Sequence, residues 1–63
     1  MFYVVVTGYW GRCYVGKGDD PVFSEKNARL FKTRQIACNY ILKHWKEWDN
    51  VVDGSSTMTV KEV

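Results

Sequence analysis

The sequence predicts a small α+β domain in which one antiparallel sheet packs on one helix, and three observations carry that prediction. The segment Thr33 to Trp48, TRQIACNYILKHWKEW, is the one stretch with the length and period of a helix. Strand-forming runs stand at both ends, FYVVVT and TMTVKEV, each beside Gly, Asp or Ser residues that favour reversals. A chain of 63 residues buries only about 60% of its unfolded surface and supports one core. The reading is therefore a single domain, 1–63, ordered β-hairpin, connector, α-helix, β-hairpin.

The first hairpin joins Phe2 to Thr7 with Arg12 to Lys17 through Gly8-Tyr9-Trp10-Gly11, whose two glycines suit a tight reversal. Side chains alternate across a strand, so Phe2, Val4 and Val6 are expected to face the helix and Tyr3, Val5 and Thr7 to face away. Cys13 and Val15 then share the helix side, and Arg12 and Tyr14 the other, which makes the outer face aromatic and basic. Gly18-Asp19-Asp20-Pro21 stops the second strand. Val22 to Lys32 has no clean period and reads as an irregular connector whose aromatics cap the core edge.

Thr33 is suited to cap the helix, its hydroxyl accepting from a first-turn amide, and Asp49-Asn50 is expected to end it. Val51-Val52, the turn residues Asp53-Gly54-Ser55-Ser56, and Thr57 to Val63 read as a second, shorter hairpin with Met58 and Val60 facing inwards. At ~100° per residue, Ala37, Ile41, Trp45 and Trp48 cluster on one side and form the expected core face. Two apolar flanks border them, Ile36, Tyr40 and His44 on one edge and Cys38 and Leu42 on the other. Together they widen the apolar arc to roughly 240°, well beyond the ~100° stripe that seats a helix on a sheet. Either the connector wraps over one flank or a flank stays open as an association surface.

Composition narrows the function classes. Hydrophobic residues at 46% and aromatics at 16% argue for a folded chain. A net charge of +2 is too small to imply a nucleic-acid partner by itself, although the basic residues concentrate in the middle third. Two cysteines, Cys13 and Cys38, are fewer than a small secreted scaffold carries, so both are expected reduced and the protein cytoplasmic. The apolar run Phe2 to Val6 is far short of the ~20 residues that span a bilayer.

Candidate chemistry is sparse. His44, the only histidine, has no evident triad partners, and with Cys13 and Cys38 it lacks zinc-ligand spacing. Asp19 and Asp20 fit a turn, and Gly16-Lys17-Gly18 lacks the glycines and following helix of a phosphate loop. No catalysis, metal or cofactor is expected.

Two resemblances bear on this. Tyr14-Val15-Gly16-Lys17-Gly18 resembles the second half of the GIY-YIG nuclease signature, with Arg29 or Arg34 in place of that family's catalytic arginine. Val5-Val6-Thr7 stands where its first tripeptide belongs and the metal-binding glutamate has no counterpart, so the match reads as coincidental. The pattern Phe23-Ser24, Ala28-Arg29-Leu30-Phe31-Lys32-Thr33 and Ala37 after a hairpin is similar to small phage-encoded accessory proteins. That resemblance implies a non-catalytic protein that binds, for instance inhibiting a host or defence protein in the host cytoplasm.

The expected partner-binding residues are Tyr9, Trp10, Arg12 and Tyr14 on the hairpin, with Tyr40, Leu42 and Lys43 on the helix. Their partner is expected to be a protein, a second copy of the chain included. The alternative is a nucleic-acid-binding module that stacks unpaired bases on the aromatic and basic sheet face.

Overall fold

A computed structural model of the chain describes residues 1–8, 11–51 and 57–63, with backbone alone at 50 and 51. Strands β1 (Phe2–Gly8), β2 (Gly11–Val15), β3 (Pro21–Val22) and β4 (Thr57–Glu62) form one antiparallel sheet in the order β3-β2-β1-β4. A 3-10 turn covers Glu25–Asn27, and the helix α1 spans Arg34–Val51. The α+β class with one sheet packed on one helix is as the sequence predicts.

The first hairpin forms with Gly8 opposite Gly11 and Val5 opposite Tyr14. Its turn residues Tyr9 and Trp10 lie outside the described residues. The alternation also holds: Val4, Val6, Cys13 and Val15 are buried under α1, with Phe2, Met58 and Val60 packed against them. The outer face departs from expectation, because Tyr3 and Val5 are buried there around Ala28 with Tyr14 packed alongside.

The connector explains that cover. From the 3-10 turn beneath the outer face, it passes between the diverging ends of β1 and β2. The Arg29 amide donates to the Val15 carbonyl at 2.8 Å, and Phe31 exchanges backbone bonds with Phe2 at 2.7 and 2.8 Å. The segment Ala28 to Phe31 is thus an extended insert in the sheet. Its residues alternate sides, with Ala28 in the outer cluster and Phe31 in the core under the helix.

β2 reverses into β3 through a close turn. The Gly16 amide donates to the Asp20 carbonyl at 2.8 Å, and a Cβ on Gly16 would fall 2.7 Å from Asp20 Oδ1 and 2.8 Å from its carbonyl oxygen. Gly16 is there because the returning chain leaves no room for a side chain. Asp19 takes φ 59°, a left-handed position that Asp tolerates better than most residues.

Thr33 caps α1 as expected, its Oγ1 accepting the Ile36 amide at 3.2 Å. The helix runs on to Val51, past the expected stop at Asp49-Asn50. Val51 is therefore helical rather than the start of a strand, and Val52 to Ser56 lie outside the described residues. The C-terminal strand finds its partner across the molecule, pairing with β1 from Thr7↔Thr57 to Phe2↔Glu62. Among the described residues it is the sheet edge beyond β1. The Val63 amide donates to the Met1 carbonyl at 2.9 Å, and antiparallel bonding alternates. The polar groups of Thr57, Thr59 and Lys61 therefore turn to β1, and those of Met58, Val60 and Glu62 turn to the open edge.

The helix face needs one correction. Ala37 and Trp48 are buried and Ile41 packs on the core, but Trp45 is 46% exposed and Tyr40 is buried in its place. The buried side is rotated by roughly 35° of helical arc from the expected one. Phe31 is the reason. Its ring stands 5.5 Å from that of Tyr40 and draws that flank down, while the Trp48 Nε1 donates to the Tyr40 hydroxyl at 3.0 Å and satisfies both polar tips inside the core.

Candidate interaction surface

The residues expected to bind a partner fall on three separate surfaces. Arg12 and Tyr14 share the outer sheet face, Tyr40 and Lys43 belong to the helix flank beside Phe31, and Leu42 projects from the opposite flank. Tyr9 and Trp10 lie outside the described residues.

On the outer face Arg12 is exposed and Tyr14 is half-buried. Tyr14 packs on Tyr3 with ring centroids 5.8 Å apart at 57°, so the two rings cover part of each other. The Tyr3 hydroxyl donates to Glu25 Oε1 at 2.7 Å, and that bond, with burial, raises its pKa above the ordinary phenol value. A shallow groove beside it is lined by Tyr3, Glu25, Lys26, Ala28, Leu30 and Val63. An acid and an alkyl wall therefore occupy the face that base stacking requires.

The flank beside Phe31 is closed over Tyr40 and His44, though not over Ile36. Tyr40, expected to meet a partner, is a core residue at 8% exposure. Burial raises its pKa, only partly opposed by the Trp48 bond. His44 stacks on Tyr40 at 4.5 Å and bonds Glu47 Oε2 through Nδ1 at 2.9 Å. Arg29 lies over Phe31 and Tyr40, 5.1 and 5.7 Å from the ring centres, and pairs with Asp19 at 3.1 Å. Lys43 and Ile36 remain exposed at the rim.

The opposite flank is open. Phe31 sits between β1 and β2, so the flank away from it faces the free edge of β4. There Leu42 is 73% exposed beside Trp45, with Cys38 half-buried one turn back and Lys46 5.6 Å over the Trp45 ring. Sequence reasoning identified Leu42 but placed Trp45 in the core. The signal for Trp45 was its place at the margin of the expected core cluster, next to the Cys38 and Leu42 flank.

Both cysteines are free, and burial pushes the Cys13 thiol up. Among the described residues no group of three or more His, Cys, Asp or Glu is placed to hold a metal ion. No helix is long and apolar enough to cross a membrane. No family model matches the chain, and neither a curated protein nor a solved structure is significantly similar to it.

Proposed function

We propose that the chain is a non-catalytic protein-binding module, and that the helix flank carrying Leu42 and Trp45 is a contact surface. The observation that supports this is the exposure of those two neighbouring side chains on one helix flank, 73% and 46%. Large exposed apolar neighbours mark association surfaces, and Trp is over-represented among interface hot spots. The sequence pattern Phe23-Ser24, Ala28 to Thr33 and Ala37, by its resemblance to small phage accessory proteins, extends the proposal to a protein of the host cytoplasm that inhibits a host or defence protein.

Base stacking on the outer face is the weaker reading, since the Tyr3 and Tyr14 rings pack on each other and Glu25 lies beside them.

The test compares the wild-type chain with Leu42→Asp and Trp45→Ser, in self-association and in capture of proteins from a host lysate. The reading expects at least one of these to fall tenfold or more while circular dichroism is unchanged. Equal self-association and equal capture in all three proteins would remove it.

A further inference from the structure

The open flank and the open strand edge adjoin each other. α1 rests on β1 and β4, its closed flank lies towards Phe31, and its open flank overhangs the edge at which Met58, Val60 and Glu62 present backbone groups that pair with nothing among the described residues. A strand added to that edge continues the sheet and places its inward side chains beneath Leu42 and Trp45. The question is what supplies that strand.

Three features point to this chain itself. The first is spacing. If β4 pairs with β4 of a second copy, the two helices are separated by two strand intervals of ~4.8 Å, about 9.6 Å. Packed helices lie about 8–10 Å apart, so the same step that joins the sheets brings the two helix flanks into contact. A lone added strand would leave the upper part of the flank bare.

Register is the second feature. Met58 and Val60 both turn their polar groups outwards, so an antiparallel pairing can set Met58 opposite Val60 of the second copy, with Thr59 on the two-fold axis. Both inward pairs are then apolar and lie under the helices. Lys61 falls opposite Thr57 of the second copy, and its own copy stands four residues away, about 13 Å at strand rise. No like charges meet.

Direction is the third. At ~100° per residue Arg34, Cys38, Leu42, Trp45 and Asp49 run along one flank as a stripe whose middle is apolar, with Lys46 over the Trp45 ring. Arg34 lies over Phe2 at 5.2 Å, which fixes the direction of α1 along β1. A two-fold axis at Thr59 makes the paired helices antiparallel, bringing the Arg34 end of each to the Asp49 end of the other. The apolar centres of the two flanks, Leu42 and Trp45, then face each other across the axis, a self-match that a foreign strand has no reason to reproduce.

We infer that the chain forms a two-fold symmetric dimer in which β4 pairs with β4 of a second copy, Met58 opposite Val60, and the Leu42 and Trp45 flanks of the two helices pack on each other. The inference rests on the reading that this flank binds protein, and it names the occupant. In such a dimer the surface left for a foreign partner is the opposite sheet face, with Arg12 and Tyr14 displayed twice.

The experiment is light scattering after gel filtration together with a cysteine placed on the axis. The wild-type chain is expected at twice its 7.4 kDa. Val60→Pro removes an amide that points to the open edge and leaves the β1 ladder intact; it is expected to be monomeric, with circular dichroism unchanged. In a Cys38→Ser background, Thr59→Cys is expected to give a covalent dimer on mild oxidation, because residues facing each other on the axis meet disulfide geometry. Thr57→Cys, far from its copy, is expected to give at least tenfold less. A dimer that survives Val60→Pro and yields no Thr59→Cys cross-link would overturn this arrangement while leaving the flank a binding surface. A wild-type monomer at millimolar concentration would overturn the dimer, and if Leu42→Asp still abolished lysate capture, the protein-binding reading would stand with a foreign occupant.

Discussion

The two flanks of α1 begin from nearly the same material and end in different states. One offers Ile36, Tyr40 and His44, the other Cys38, Leu42 and Trp45. On the first, Phe31 and Arg29 arrive from the connector and make Tyr40 a core residue; on the second, among the described residues, α1 meets only an edge strand, and Leu42 and Trp45 stay exposed. Side-chain hydrophobicity does not decide which flank is buried. Long-range threading of the connector does.

The comparison can be broken by variants on the closed side. Trp48→Ala removes a buried indole and its bond to Tyr40, and is expected to cost about 3–5 kcal/mol, enough to unfold much of so small a domain at room temperature. Urea titration followed by circular dichroism measures it. A loss under about 1 kcal/mol would mean that this side is not the core. Tyr40→Phe is a finer cut. It keeps the ring on Phe31 but strands the Trp48 donor, with an expected cost of about 1–3 kcal/mol in the same titration.

The same tyrosine sets a pH limit. The pKa values of Tyr3 and Tyr40 are both raised above 10.0, so the folded state favours their neutral forms. Their contribution is complete below the ordinary phenol value and is lost as pH rises through the folded values. Stability is expected to fall more steeply above about pH 10 in the wild-type chain than in Tyr40→Phe. Parallel curves would contradict the burial of that hydroxyl.

On the open side the effect on folding is the smallest. Leu42→Ser is expected to change the unfolding midpoint of the dilute protein by less than about 0.5 kcal/mol. At high concentration, where association adds stability, the wild-type midpoint is expected to rise and that of Leu42→Ser to stay put. A large loss at low concentration would show that Leu42 is packed within its own chain.

Much of this architecture was legible in the residues. Strand alternation assigned Phe2, Val4, Val6, Cys13 and Val15 to the helix side, Thr33 announced the helix start, and Met58 and Val60 were placed inwards. What failed was whatever depended on distant parts of the chain. TMTVKE reads as a strand anywhere, and local turn residues suggested a neighbouring partner when the partner is β1. An arc of roughly 240° admits two ways of seating a helix, and Phe31 chose between them by burying Tyr40 and exposing Trp45. For the same reason the expected contact residues scattered: Tyr40 went into the core, Tyr14 onto Tyr3, and Leu42 alone joined a continuous apolar surface.

The insert Ala28 to Phe31 also governs the order of assembly. It holds Phe2 and Val15 apart and takes up bonds that the hairpin would otherwise make with itself. A nascent chain ending before Ala28 has nothing to stop β1 and β2 from zipping further, so the native sheet closes only after that premature pairing is undone or forestalled. The bonds at Arg29 and Phe31 join residues distant in sequence, and loop closure must precede them. Their amides should therefore be among the last to gain protection during refolding and should exchange only when the whole domain opens.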